Sequence, residues 1–180
     1  HAVATASTKE TLSDDMFPVS IPNAIKLDRS VEYYQWVEHS HSETKDKVGG
    51  GQETITTYTY SKEWCGSPVN SGNFQTQYDE GHSVANHVVT NIDDKHQTAE
   101  VVDFGAYVLD DVLKGGISCS EPVTKFYINA NGQIEITDGV QEPAPEIGDV
   151  RVTFKKGMGG TASILAVPQG NSFTKYYDAK

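Results

Sequence analysis

The residues of this chain with types and spacing suited to chemistry are few and scattered. His39 and His41 stand two apart in a run that alternates like a strand, so both imidazoles project to one face, as two metal ligands would. No third ligand follows at a matching spacing, and two surface histidines near a polar hairpin tip explain the pair as well. His82, His87 and His96 lie in loop-like sequence without a helical i, i+4 relation. Cys65, in Trp64-Cys65-Gly66-Ser67, has only Lys62 nearby to favour a thiolate, which fits a small structural cysteine better than a nucleophile. Glu63 with Asp79 or Glu80 would supply two carboxylates for acid and base work, but nothing sets them the ~5 to 9 Å apart that such work requires. Gly157-Met158-Gly159-Gly160-Thr161 is glycine-rich like a phosphate loop, yet it lacks the Lys-Ser/Thr pair and the following helix, so it reads as a turn between strands. The serines offer no Gly-x-Ser-x-Gly elbow. The expectation is no catalytic residue, no metal and no cofactor.

The elements that would position these groups are mostly strands. Val31 to His39 and Thr54 to Tyr60 are rich in β-branched and aromatic residues, and Lys47-Val48-Gly49-Gly50-Gly51 supplies a bend between them. Ala24–Ser42 and Gln52–Trp64 are therefore predicted to pair antiparallel. Tyr34 and Trp36 share one side of the first strand, and Tyr58, Tyr60, Lys62 and Trp64 one side of the second, so pairing would build an aromatic ladder. Upstream, residues 2–9 suit an edge strand, and Pro18 and Pro22 bracket an extended crossing into the hairpin. Residues 65–94 read as loop. Ala106, Leu109, Val112 and Leu113 at i, i+3, i+6 and i+7, with Asp103 as cap and Gly115-Gly116 as stop, predict one main amphipathic helix lying on a sheet. Strands return at 123–129 and 133–137 around an Asn131-Gly132 turn, then at 150–155 and 161–167, with a last one at 172–177. The fold class is α+β: mostly antiparallel sheet with a long N-terminal hairpin and a covering helix.

Composition bounds the rest. The 180 residues, 37% of them apolar, suffice for one ordinary core, so residues 1–180 are read as a single domain. A net charge of -11 argues against nucleic acid and against direct binding to an anionic lipid surface. No run approaches the ~18 to 20 apolar residues of a membrane span, and the start, at His1 without an initiator Met, has no signal-peptide pattern. Cys65 and Cys119 are too few for a disulfide framework; one bridge between them, or two free thiols, both remain open. No Asn-x-Ser/Thr acceptor occurs, which fits a bacterial source.

From Tyr60-Ser61-Lys62-Glu63-Trp64 through Asn70-Ser71-Gly72-Asn73-Phe74 to Gly81-His82, with Tyr34-Gln35-Trp36-Val37-Glu38 upstream, the order and spacing resemble the soluble domain of the LUMA (transmembrane protein 43) family. Similar stretches occur at Leu12-Ser13-Asp14, at 104–117 and at 147–154, so the resemblance spans nearly the whole chain. The sequence departs from the family between these motifs: in the Gly-rich bend, at Cys65 and in the acidic run after Gly132. The resemblance implies flanking membrane helices, so that this would be an excised domain. For animal members it implies residence in the endoplasmic reticulum and inner nuclear membrane, self-association and nuclear-envelope partners. The matched residues Tyr60, Glu63, Trp64, Asn70, Asn73, Phe74, Gly81 and His82 carry over as structural before functional.

The first functional reading is a non-enzymatic domain of a membrane-anchored parent, on the extracytoplasmic or lumenal side, working through contacts with membrane proteins or with itself. The second is a small-ligand or glycan-binding module using the face of Tyr34, Trp36, Tyr58 and Tyr60, since open aromatic faces stack on sugar rings. A hydrolase with unrecognised residues is a third. Burial of Trp36 and Trp64 separates the first two.

Overall fold

A computed structural model describes residues 4–87, 90–136 and 142–160. In chain order its strands are β1 (Ala6–Ser7), β2 (Thr11–Ser13), β3 (Ser20–Pro22), β4 (Ala24–Asp46) and β5 (Gln52–Cys65). A 3-10 turn at Ser71–Asn73 follows, then β6 (Tyr78–Asp79), β7 (His82–Ser83), β8 (Lys95–Thr98), β9 (Asp103–Phe104) and β10 (Tyr107–Val108). A short helix α1 (Asp111–Gly115) precedes β11 (Glu121–Ile128), β12 (Ile134–Ile136) and β13 (Val150–Met158). The largest sheet has the order β12-β11-β13-β4-β5, with β8 also on β4. The protein is thus predominantly β. The described residues divide into two compact units: those within 1–30, 93–125 and 152–180, and those within 31–92 and 126–151.

In the first unit Ala6, Ile25, Ala99, Val102, Phe104, Leu109, Leu113 and Ile117 form one buried cluster. The expected main helix is not there. Phe104 pairs with Tyr107 across a Gly105-Ala106 turn, so β9 and β10 make a tight hairpin where the periodicity predicted the first helical turn. Gly105, at φ +63°, permits the reversal, and Phe, Tyr and Val favour the flanking strands. Asp103, read as a helix cap, is instead a strand residue. The real cap is Asp110, whose side chain accepts from Leu113 N–H, and α1 is a single turn stopped by Gly116. Leu109 and Leu113 are nonetheless core residues, while Val112 is 76% exposed.

Two further expectations change. The segment between Pro18 and Pro22 is extended, as β3, and leads into β4, but it is no lone crossing: it folds back on β2 as a hairpin with Thr11 opposite Pro22. Asp14 Oδ2 holds the connecting loop by accepting from the Met16 and Phe17 N–H groups, both at 2.9 Å. Gly157 is no turn residue either, since β13 runs through it. A Cβ there would run into Ser118 O, and one at Gly159 into Ala6 O. These glycines allow backbones to pass closely. The strands expected at 161–167 and 172–177 lie outside the described residues.

The second unit is built on the long hairpin. β4 and β5 pair antiparallel from Tyr33↔Cys65 to Asp46↔Gln52, as predicted, and Gly49, Gly50 and Gly51 take the positive φ angles of the bend. Val31, Tyr33 and Gln35 alternate into the interior. The Tyr33 hydroxyl donates to Ile92 O (2.8 Å) and accepts from Ile92 N–H (2.9 Å). The predicted Asn-Gly turn is present: Phe126–Ile128 pair with Ile134–Ile136, and Gly132 has φ +79°. Beyond Glu38 the hairpin leaves the core, and 39–46 and 52–59 are exposed on both faces.

Candidate functional site

Register places the aromatic ladder where alternation predicted it: Tyr34 opposite Trp64, Trp36 opposite Lys62, Glu38 opposite Tyr60 and Ser40 opposite Tyr58. The Tyr34 and Trp64 rings are 5.2 Å apart, and Trp64 meets Tyr127 edge-on at 6.3 Å. The Arg151 guanidinium lies 4.2 Å from the Trp64 ring centre, fixed by Nε (3.0 Å) and Nη2 (2.8 Å) donating to Glu32 Oε1. Burial works against the Arg151 charge, but these bonds outweigh it and raise its pKa. Lys62 Nζ sits 5.2 Å from the Trp36 ring centre. Trp36 and Trp64 are therefore half-buried, neither sealed in a core nor fully open.

The 66–87 excursion folds onto this face, and most motif residues hold it there. His82 stacks on Trp36 at 5.2 Å with 21° between planes, and Phe74 packs on Tyr60 at 5.6 Å. Tyr60 donates its hydroxyl to Glu38 Oε2 (2.7 Å), which also accepts from Gln75 N–H (2.7 Å). Burial, then Glu38, pushes the Tyr60 phenol pKa up. Asn70 caps the 3-10 turn by accepting from Gly72 N–H. Glu80 (φ +50°) and Gly81 (φ +85°) turn β6 into β7 and so present His82 to Trp36. Asn73 is an exposed residue of the 3-10 turn.

Two residues not singled out in the sequence complete the clasp. Gln35, buried on the opposite face, donates to Ser67 O (2.9 Å) and accepts from Val69 N–H (2.8 Å). Asn86 accepts from Trp36 N–H (2.7 Å) and donates to Trp36 O (2.8 Å), closing the edge of β4 as a neighbouring strand would. The only signal for Gln35 was a polar residue in the same alternation as Val31 and Tyr33. Asn86 gave none.

A cleft of about 330 Å³ opens beside the stack, lined by Trp36, Lys62, His82, Ser83 and Ile147. Of the proposed aromatic face only Trp36 lines it: Tyr34 packs on Trp64, Tyr60 packs on Phe74, and Tyr58 stands on the projecting hairpin.

The remaining chemical candidates are dispersed. His39 Nε2 is 2.5 Å from Glu63 Oε2, which also accepts from Ser61, whereas His41 lies 3.4 Å from Glu43. Each histidine thus has its own carboxylate. Ser61, then His39, hold the Glu63 carboxyl below the usual carboxylate range. Asp79 and Glu80 gather with His82, their ligand atoms within 4.8 Å of one another. With three surface donors, a cation there would keep most of its shell as water. Cys65 and Cys119 are free thiols, and burial pushes both pKa values up, that of Cys119 to about 11.

The profile of the family described as Transmembrane protein 43 matches residues 33–180. Transmembrane protein 43 of Rattus norvegicus is 33% identical over 162 residues, covering 86% of this chain and 38% of the relative. That of Homo sapiens is 30% identical over 161 residues, covering 86% and 38%. The Transmembrane protein 43 homolog of Drosophila melanogaster is 29% identical over 165 residues, covering 87% and 43%. The chain belongs to the transmembrane protein 43 family, as the motifs between Tyr60 and His82 suggested. It spans about two fifths of the length of these relatives. No solved structure matches it.

Proposed function

We propose that this chain is the non-enzymatic, contact-making domain of a membrane-anchored protein, held on the extracytoplasmic or lumenal side, where it organises neighbouring membrane proteins or copies of its parent. The observation that carries the reading is how its family motif is used. Tyr60, Trp64, Asn70, Phe74, Gly81 and His82 contribute rings, a cap and a turn that fold the 66–87 excursion onto the hairpin. What they support is a ribbon, 39–46 with 52–59, exposed on both faces. At about 3.3 Å per residue it reaches roughly 25 Å beyond the packed part of the strands. The names of the relatives support the membrane attachment.

The test is made on the parent polypeptide in its own membranes. It should resist alkaline carbonate extraction, and this domain should be cut by protease given access to the lumenal or extracytoplasmic side of the membrane but not by protease confined to the cytoplasmic side. Release by carbonate, or digestion from the cytoplasmic side, would refute the reading. The cleft beside Trp36 favours the small-ligand reading as the alternative, and saturable glycan binding lost in Trp36→Ala would put it first.

A further inference from the structure

β5 is the outermost strand of its sheet, and its outer side meets no backbone partner among the described residues. Register identifies the groups that face outward. Lys47 N–H donates to Gly51 O across the bend (3.0 Å). Hydrogen-bonded and non-hydrogen-bonded pairs alternate in an antiparallel ladder. The odd-numbered residues of β4 and β5 therefore bond one another, and the even-numbered ones turn their N–H and C=O groups outward. β4 obeys this pattern: Tyr34 bonds Asp149 O and Gly148 N–H, and Trp36 bonds the Asn86 amide. On β5 the outward groups belong to Thr54, Thr56, Tyr58, Tyr60, Lys62 and Trp64.

Sheets ordinarily blunt such an edge with charge, proline, a bulge or brevity. From Thr54 to Ser61 this one has no charge and no proline, the pairing runs without a bulge, and its residues are Thr, Ile, Tyr and Ser. We propose that the β5 edge receives an extended segment of a partner polypeptide as an added antiparallel strand. This rests on the contact-domain reading and names its surface. Main-chain hydrogen bonds would hold the segment, and the side chains of alternate residues would set its register. Charge dictates its composition, because the uncharged run ends at Lys62 on one side and Glu53 on the other. An antiparallel segment that matches it is acidic at its start, uncharged and β-branched through its middle, and basic at its end. In a chain of net charge -11, this run lets another backbone approach without meeting like charge.

The test uses a labelled synthetic peptide of about ten residues, Asp first, Lys last and Val alternating with Thr between, read by fluorescence anisotropy. Saturable binding is expected, weaker when the two end charges are exchanged. Thr56→Pro removes an outward N–H that the β4–β5 pairing does not use, so the hairpin should survive while binding weakens about tenfold or more. Thr56→Lys should act likewise, with circular dichroism and tryptophan emission confirming the fold of both. No saturable binding, or equal binding by both variants, would overturn the proposal. So would self-association in sedimentation that Thr56→Pro abolishes and the peptide does not compete, since the edge would then serve a second copy. Peptide binding does not depend on membrane topology, so it and the extraction assay can fail separately.

Discussion

Asn86 shows how one side chain can stand in for a strand. Its amide takes both backbone groups of Trp36 just past the point where Asp149 and Gly148 pair with Tyr34. Asn86→Ala strips those partners and should cost about 1 to 3 kcal/mol in urea unfolding; a loss below ~0.5 kcal/mol would mean that water replaces the amide. Asn86 could not be read from sequence, and Gln35 only as a polar residue in the alternation of Val31 and Tyr33, because a lone amide has many uses and only the fold supplies its partners. The rings of the motif could be read, because alternation fixes which of them share a face. Cys119 carries a second residue-scale prediction. Burial, then Asp28, raises its pKa to about 11, so the thiol stays protonated at neutral pH. It should be alkylated more slowly than an unfolded cysteine, as measured by mass spectrometry, and an equal rate would contradict that environment.

At the scale of elements, the hairpin and the missing helix make an instructive contrast. The hairpin was legible because two long alternating runs flank a glycine bend, and each needs the other for its backbone bonds. The helix was misread because Leu109 and Leu113 are core residues whose four-residue spacing imitates a helical stripe, although a β-hairpin and then a single helical turn bring them inward. The third position of that supposed stripe, Val112, decides between the two. Leu109→Ala and Leu113→Ala should each cost about 2 to 5 kcal/mol, whereas Val112→Ala, at an exposed site, should change stability by less than about 0.5 kcal/mol. A large cost at Val112 would restore the docked helix. The exposed ribbon should differ from the base of its own strands: amide exchange at 40–46 and 52–59 should be fast relative to 31–37, where burial protects the ladder.

For the whole molecule, charge governs the response to acid and to lipid. Glu10 is held by Val101 and Glu100 N–H groups, Asp15 by Lys95 and Arg29, and Glu63 by Ser61 and His39, and all three pKa values are lowered. The unfolded chain therefore binds protons more readily at these sites than the folded one. Their stabilisation is present above the ordinary carboxylate range near pH 4 and is lost as pH falls through the lowered values. The thermal midpoint should drop as pH goes from about 5 to 3, and a rise over that interval would contradict these assignments. Lipid brings the same surplus of acid into play. Among the described residues no helix is long and apolar enough to cross a membrane, and the net charge of -11 opposes an anionic bilayer at separations within a Debye length. If the parent supplies the attachment, this domain needs no affinity for lipid. In flotation with phosphatidylserine-containing vesicles at physiological salt, the isolated domain should remain at the bottom of the gradient. If it floats with the vesicles, lipid itself is a ligand and the contact reading loses its electrostatic support.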